Sequence, residues 1–273
     1  MSTASPPADR IVRHPLVPRL LEVVRVERPT PRLVRVTLGG EAIAGFATLS
    51  PTDHVKLLVP SGGEPPAMPT AGPNGLSFPP GTSMSDARDY TPRRFDPETG
   101  ELAIDVVIHG SGRVSNWAET AKPGDRIGVL GPRGSFLVPE AFAWLLLVGD
   151  DTALPTIARW LEALPAGARA FAVVEVEDAA EEQALATPAG ATVVWVHRAG
   201  SAGAADERLA AAVANLDLPE GDGFAWIGGE VNAARMVRRH LLNEREMPRA
   251  AVDLSGHWKR GVASWDHHEE IPD

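Results

Sequence analysis

The sequence predicts a β + α/β fold: an antiparallel β-barrel over residues 1–138, followed by an open parallel α/β domain over residues 139–273. Two observations predict it. The first half alternates apolar and polar residues in short segments between Gly- and Pro-containing turns, which is typical of half-buried antiparallel strands. The second half has continuous apolar runs that alternate with helical segments, which is typical of strands buried in a parallel sheet.

The predicted barrel elements are short. Strands are predicted at 20–28, 32–38, 53–59, 101–110 and 126–131, and the first two form a hairpin around Pro29–Pro31. A short helix is predicted near Ser115–Ala121, with Ser115 as its N-cap. Residues 61–87 are rich in Gly, Pro and Ser and show no periodicity, so this segment is either disordered or functional.

The α/β domain begins where the composition changes near residue 140. Its strands are predicted at 143–150, 169–177, 192–197 and 223–230, and its helices at 152–164, 203–214 and 231–246. Ligands of open α/β sheets bind at the carboxyl ends of the strands. We therefore expect the turns 149–155 and 228–230 to face a ligand, although neither contains a G-x-G-x-x-G fingerprint. Asp150 or Asp151 is also expected to cap the first helix, with Pro155 in its first turn.

Composition excludes several classes of protein. The chain has 26 Lys+Arg against 36 Asp+Glu and no basic tract, so we expect no nucleic-acid partner. The absence of Cys excludes disulfides, thiol catalysis and iron–sulfur clusters, so redox chemistry requires a bound cofactor. The longest apolar run, 141–148, is too short to span a membrane. We expect a cytoplasmic protein without stable membrane association, as a monomer or a weak dimer.

A candidate cofactor motif surrounds Tyr90, the single tyrosine, in the segment RDYTPR at 88–93. A phenol ring stacks well on a flat heteroaromatic ring, and the hydroxyl of Thr91 can hydrogen-bond to a ring nitrogen. Arg88 lies on the same strand face as Tyr90 and can bind phosphate. The alternative is a strand with surface arginines and one packed tyrosine.

A second candidate motif, HGSGRVSNWA at 109–118, follows a strand and opens a helix. Its two glycines allow a close approach of the backbone, and a helix N-terminus is a natural phosphate site. The alternative is a simple glycine turn with a helix cap.

These two motifs resemble those of the siderophore-interacting proteins, which are flavin-dependent ferric-siderophore reductases of the ferredoxin-reductase-like superfamily. The resemblance extends in the family's order over about residues 18–262. It includes GDRIGVLGPRGSF (124–136), GDDTALP (149–155), GGEVNAARMVRRHL (228–241) and GHWKRG (256–261).

The resemblance implies an enzyme that passes electrons from NADPH or NADH through bound FAD to Fe(III) in a siderophore, releasing Fe(II) for iron assimilation. It makes residues 1–138 the FAD-binding domain and residues 139–273 the NAD(P)H-binding domain with a C-terminal substrate-side segment. The implied catalytic residues are Tyr90, stacked on the isoalloxazine, and Thr91, hydrogen-bonded near flavin N5. The other implied cofactor-binding residues are Arg88, His109, Gly110, Gly112, Ser115 and Trp117 for FAD, and Thr152, Ala153, Gly229 and Glu230 for the nicotinamide nucleotide. For His109 and Trp117, packing is an equal alternative.

A ferric siderophore is bulky and often anionic, so its reductase needs local positive charge. The candidate substrate-binding residues are Arg93, Arg94, Trp258, Lys259 and Arg260. The family's C-terminal motif usually has Tyr and Arg at the positions where this chain has His257 and Lys259. We expect no protein-bound metal and interpret His267, His268, Glu269 and Glu270 as part of a flexible tail.

The electron donor stays open at this stage. Glu175, Glu177 and Asp178 end the second strand of the α/β domain, and an acid there favours the free ribose hydroxyl of NADH. The resemblance slightly favours NADPH, because the family has acids here even where NADPH is used. Two other functions also stay open: a general NAD(P)H–flavin reductase for another acceptor, and a non-catalytic siderophore-binding protein.

Overall fold

The computed structural model describes residues 11–60, 64–73, 75–84, 87–137, 142–187, 190–199, 204–262 and 265. Contacts within the chain divide it into two compact units, Met1–Val138 and Pro139–Asp273. None of the helices in the described ranges is long and apolar enough to cross a membrane.

The first unit is built on a seven-stranded antiparallel sheet with the order β7-β4-β10-β2-β3-β9-β8. Its two edge strands, β7 and β8, follow each other in sequence and are separated only by Thr91. The sheet therefore curls until its edges approach each other, which confirms the predicted antiparallel barrel. The elements of this unit are β1 (Ile11–Arg13), β2 (Pro18–Thr30), β3 (Leu33–Gly39), β4 (Val55–Leu58), β5 (Thr70–Gly72), β6 (Gly75–Ser77), β7 (Arg88–Tyr90), β8 (Pro92–Asp96), β9 (Glu101–Val107), α1 (Arg113–Thr120), β10 (Arg126–Leu130) and β11 (Gly134–Phe136).

Alternate residues of the barrel strands form its core. On β3 and β9 the buried core residues are Val34, Val36, Leu38, Leu102, Ile104 and Val106. Helix α1 covers this core with Val114 and Ala118. The predicted N-cap at Ser115 is wrong: α1 begins at Arg113 after Gly112, whose φ of 91° provides the turn into the helix.

The described part of the segment 61–87 is folded onto the barrel. It contains the hairpin β5–β6 and packs Met68, Leu76 and Phe78 against Leu58, Ala87 and Leu130. Scattered apolar side chains hold this segment on the barrel, and they do not alternate regularly with polar ones. Its sequence therefore shows no strand pattern.

The second unit is a five-stranded parallel sheet with the order β14-β13-β12-β15-β16, which confirms the predicted open α/β fold. The central strand β12 is buried along its whole length. The strand order reverses between β12 and β15, so the carboxyl ends of these two strands form the topological switch point where ligands bind. The elements are β12 (Trp144–Asp150), α2 (Leu154–Ala163), β13 (Ala170–Val176), β14 (Ala191–His197), α3 (Arg208–Ala214), β15 (Gly223–Glu230), α4 (Val231–Asn243) and β16 (Val252–Trp258).

Candidate functional site

Strand β7 places the predicted flavin residues at the seam of the barrel. It pairs with β4, so that Tyr90 lies opposite Val55 and Arg88 lies opposite Leu57. On the other face of the strand, the Asp89 carboxylate accepts a hydrogen bond of 2.7 Å from Lys56 Nζ. Arg88 and Tyr90 therefore share one face, as the sequence predicts, with Thr91 next in the chain at the gap between the two edge strands.

Tyr90 is half-buried against the barrel core. Burial raises the pKa of its hydroxyl, and the nearby Arg88 opposes this shift only in part. The phenol is therefore neutral at physiological pH, and its ring is a planar surface without charge. Arg88 itself is half-buried, and its Nη1 donates to the Ala87 carbonyl at 2.7 Å, which orients the guanidinium.

The turn before α1 is shaped by its two glycines. Gly110 has a φ of 73°, and a Cβ built there would meet nothing within 4 Å, so the backbone is open to an approaching group. A Cβ at Gly112 would lie 3.3 Å from His109 Cε1, so the imidazole of His109 covers this position. The hydroxyl of Ser115 is buried and accepts from the His109 backbone N–H at 3.2 Å. Ser115 thus shapes the turn with its buried side chain.

Trp117 packs against the barrel core, which favours the packing alternative for this residue. Both β7 and α1 contact β9, so the two predicted flavin motifs lie over the same strand. The first-turn amides of α1 and the Arg88 guanidinium are donors suited to a diphosphate. Together with the open turn at Gly110 and the neutral ring of Tyr90, these donors fit FAD.

The two predicted substrate arginines on β8 have different surroundings. The Nε atom of Arg93 lies 4.0 Å from Asp105 Oδ2, and the Arg93 side chain is only 13% exposed. Asp105 is also held by Arg35 through two hydrogen bonds of 2.6 and 2.8 Å. This network favours a structural role for Arg93, whereas Arg94 is exposed.

Asp150 lies at the centre of the carboxyl edge of the sheet in the second unit. Its carboxylate is 1% exposed and accepts four hydrogen bonds. Oδ1 accepts from the backbone N–H and the hydroxyl of Thr152, at 2.9 and 2.6 Å. Oδ2 accepts from Glu230 N at 2.9 Å and from Trp258 Nε1 at 2.8 Å. One buried carboxylate therefore joins the β12–α2 turn, the β15–α4 turn and the end of β16.

The predicted cofactor residues Gly229 and Glu230 support this centre. Gly229 has a φ of 115°, and a Cβ there would lie 2.6 Å from Asp150 Cγ, so only glycine fits. Glu230 is the N-cap of α4: its Oε2 accepts from Asn232 N and Ala233 N at 2.8 and 2.9 Å. Because this side chain occupies the first turn of α4, the geometry gives Glu230 a capping role.

The predicted residues Thr152 and Ala153 form the turn into α2. The expected cap by Asp150 or Asp151 is wrong: the N-cap of α2 is Ala153, which is fully buried, and no side chain caps the helix. Pro155 lies in the first turn as expected. Thr152 Oγ1 lies 3.2 Å from His257 Nδ1. The Thr152 hydroxyl donates its only proton to Asp150. In the contact between Thr152 and His257, the hydroxyl oxygen is therefore the acceptor and His257 Nδ1–H is the donor.

The C-terminal motif, 256–261, begins in the last three residues of β16 and continues beyond it at the same edge. The indole N–H of Trp258 is used by Asp150, while its side chain stays 36% exposed. Arg260 is an exposed residue that pairs with Asp206 at 2.8 Å, and its backbone N–H donates to Glu230 Oε1 at 3.0 Å. Lys259 is half-buried. The residues His267, His268, Glu269 and Glu270 lie outside the described residues.

Two arginines at this edge, Arg198 and Arg208, are not among the residues predicted from the sequence. Arg198 binds the Asp151 carboxylate, and its Nε lies 3.5 Å from Glu177 Oε2. Arg208 Nε donates to Glu175 Oε1 at 2.5 Å. Burial raises the pKa of Glu175, and Arg208 opposes that shift. The available signal was the position of Arg198, which directly follows the third apolar strand and therefore lies beside the acids that end the second.

A barrel that fits FAD, followed by a parallel sheet with its carboxyl edge at a switch point, defines the class of two-domain flavoproteins. The profile of the siderophore-interacting FAD-binding domain matches residues 22–136, and that of the siderophore-interacting protein matches residues 142–261. The chain therefore belongs to the siderophore-interacting protein family and has its FAD-binding domain in the barrel.

Relatives support this membership over nearly full lengths. The chain is 38% identical to the NADPH-dependent ferric-chelate reductase of Escherichia coli, over 90% of this chain and 95% of that protein. It is 31% identical to the ferric vibriobactin reductase ViuB of Vibrio cholerae, over 93% of each. A siderophore utilization protein from T. fusca, solved by crystallography, has a TM-score of 0.86 at 45% identity, over 94% of this chain and 98% of that one.

Proposed function

We propose that the protein is an FAD-dependent NAD(P)H ferric-siderophore reductase. It takes electrons from NADPH or NADH and delivers them to Fe(III) in a siderophore, releasing Fe(II) for iron assimilation. The names of two relatives support reduction of ferric chelates, and one of them names NADPH as the donor. The observation that carries the proposal is the barrel seam. It holds Arg88, Tyr90 and Thr91, and both β7 and α1, the helix after the open turn, contact β9.

In this proposal, the protein's own residues bind FAD and orient it. FAD, when bound, supplies the exchange between two-electron and one-electron chemistry. Arg88 and the first turn of α1 neutralise the diphosphate, and the neutral ring of Tyr90 supports the ring system. The Thr91 hydroxyl provides a hydrogen bond near flavin N5. His109 holds the glycine turn in shape, because its ring covers Gly112.

The second unit holds the nicotinamide nucleotide at the carboxyl edge of its sheet. Thr152 and Ala153 present the turn at the end of β12, and Gly229 allows the backbone to pass against Asp150. Glu230 acts indirectly, by capping α4 and holding the backbone of Arg260. Asp150 keeps these turns in register, since each of them donates to its carboxylate.

The ferric siderophore is the acceptor. Its negative charge requires local cations on a chain whose net charge is −10. Among the five predicted residues, Arg94 is an exposed cation and Trp258 offers a partly exposed ring. Lys259 contributes charge beside it, whereas Arg93 and Arg260 are held in ion pairs with Asp105 and Asp206. The protein acts in the cytoplasm, as a monomer or a weak dimer.

An anaerobic assay tests this function directly. The wild-type protein, loaded with FAD and mixed with NADPH and a ferric siderophore, forms Fe(II) that a ferrous chelator traps as a coloured complex. Arg88→Gln retains about tenfold less FAD, because a charge-assisted contact to phosphate is lost. Arg126→Gln, at an exposed position on β10, is the matched control and retains FAD normally.

The same assay separates the alternatives. Reduction of FAD without Fe(II) formation would point to a flavin reductase with another acceptor. If the wild-type protein does not bind FAD, the proposal of a flavin-dependent enzyme is contradicted, and the alternative of a non-catalytic siderophore-binding protein stands.

A further inference from the structure

Strand β8 contains an extra residue just after the barrel seam. Pro92 pairs with Ile104 on β9, whereas Arg94 pairs with Ala103, so two steps along β8 match one step along β9. Arg93 is therefore the extra residue of a β-bulge. Bulges bend a strand and change the direction in which its side chains point.

The bulge decides which residues of β8 face the barrel core. Residues an odd number apart on a regular strand lie on opposite faces. Pro92 and Phe95 are three residues apart, yet they lie opposite Ile104 and Leu102, which both belong to the core. Because directly opposite residues share a face, the extra residue Arg93 lets Pro92 and Phe95 face the core together.

The Asp105 carboxylate on β9 holds the bulged residue. Arg93 Nε lies 4.0 Å from Asp105 Oδ2, and the two side chains are only 13% and 2% exposed. Arg35, on the opposite neighbour of β9, already donates two hydrogen bonds to the same carboxylate. Asp105 therefore stays paired without Arg93, so neutralising this buried charge does not require the second arginine. The contact with Arg93 instead holds the bulge against β9.

We propose that Arg93 is a positioning residue for the flavin: it holds the bulge on Asp105 and thereby places the Thr91 hydroxyl at flavin N5. This inference rests on the proposed contact between Thr91 and FAD. Thr91 is the single residue between β7 and β8, and Pro92, with its fixed φ, links it to the bulge. A slip of the bulge therefore moves Thr91, and a shift of about 1 Å is enough to break a hydrogen bond of ordinary length.

The affinity for FAD tests this role without electron transfer. FAD is titrated into the FAD-free, full-length protein, and flavin fluorescence gives the Kd. Arg93→Gln raises the Kd about fivefold, because the hydrogen bond at N5 is lost, and it shifts the visible absorption band of the bound flavin.

Arg35→Gln is the matched control. It removes the same charge and contacts the same carboxylate, but from the strand on the other side of β9. It leaves the Kd and the absorption band unchanged. Its melting temperature nevertheless falls further than that of Arg93→Gln, since two hydrogen bonds to a charged group are lost.

A double-mutant cycle with Thr91→Val shows whether Arg93 acts through Thr91. Thr91→Val alone raises the Kd about fivefold, whereas Thr91→Ser, which keeps the hydroxyl, binds FAD like the wild type. In the Thr91→Val background, Arg93→Gln changes the Kd by no more than about twofold, although the melting temperature still falls. If Arg93→Gln does not fold, Arg93→Lys keeps the charge without the planar fork. It gives a smaller rise in Kd, which also disappears in the Thr91→Val background.

Equal Kd values for Arg93→Gln and Arg35→Gln, or a loss of affinity that persists in the Thr91→Val background, would overturn the proposal. If the wild-type protein forms Fe(II) from a ferric siderophore, such a result overturns the positioning role alone and the proposed function stands. If Thr91→Val binds FAD as tightly as the wild type, the N5 contact in the proposed function fails, and the positioning role of Arg93 fails with it.

Discussion

Replacing Asp150 with Asn tests whether one buried carboxylate organises the nicotinamide edge. The substitution keeps the shape of the side chain but removes its charge and one of its two acceptor atoms. The amide NH₂ group then faces either the two donors of Thr152 or the pair formed by Glu230 N and Trp258 Nε1. Two of the four hydrogen bonds are lost in either orientation.

The cost follows from the type of bond that is lost. A hydrogen bond to a charged group contributes about 1.5–3 kcal/mol, so Asp150→Asn lowers the free energy of unfolding by about 3–6 kcal/mol. Trp258→Phe removes one donor and leaves the carboxylate three, at a residue that is 36% exposed. We expect it to cost about 1.5 kcal/mol, at the lower end for a hydrogen bond to a charged group.

Urea unfolding followed by tryptophan fluorescence measures these costs. Trp117 lies in the first unit and the other six tryptophans lie in the second, so the signal reports mainly on the α/β unit. Asp217→Asn, at an exposed position, is the control and changes stability by no more than about 0.5 kcal/mol. If Asp150→Asn unfolds like Asp217→Asn, the central role of Asp150 is refuted.

Three further predictions follow from the geometry. Gly229→Ala places a Cβ 2.6 Å from Asp150 Cγ at a φ of 115°, so the midpoint of urea unfolding falls, and an unchanged midpoint would contradict the close contact. The raised pKa of Tyr90 means that the folded state retains a proton which the unfolded state releases above the ordinary value of 10.0. The stability contributed by this group is therefore present below that pH and lost as the pH rises through the raised value. Because Tyr90 is the single tyrosine, alkaline titration of tyrosinate absorbance measures it alone, and titration at the ordinary value in the folded protein would refute its burial. Arg94→Gln raises the KM for an anionic ferric siderophore and leaves the FAD content unchanged. Arg93→Gln instead lowers the melting temperature. If initial rates and melting temperatures show the reverse pattern, the roles of the two arginines are exchanged.

The two-domain fold was predictable because each half has its own periodicity. Alternation identified β2, β3 and β9, and the continuous apolar run identified β12, whose seven residues are all buried. Strand β1 was missed because it has only three residues and all of them are exposed. The order of the strands within each sheet could not be predicted from the sequence pattern, because packing between distant segments decides which strands pair. The closure of the barrel at Thr91 is a consequence of that order.

The candidate site was predictable where a motif is local. Tyr90 and Arg88 are two residues apart on one strand, so alternation alone places them on one face. Asp150 was predictable as a residue of the turn after β12, but not as a cap of α2, and its partners Glu230 and Trp258 lie 80 and 108 residues further along the chain. Likewise, Arg198 meets Asp151 across 47 residues. Such contacts depend on the parallel sheet bringing the ends of separate strands together, which periodicity does not specify.

The most direct test of the central claim is an anaerobic single turnover followed by the visible absorption band of oxidised FAD. NADPH is added first to the FAD-loaded protein, and a ferric siderophore is added after the band has disappeared. A ferric-siderophore reductase predicts that the band returns as two ferric ions are reduced for each flavin. A band that NADPH and NADH leave unchanged, or that stays bleached after the chelate is added, would contradict the account.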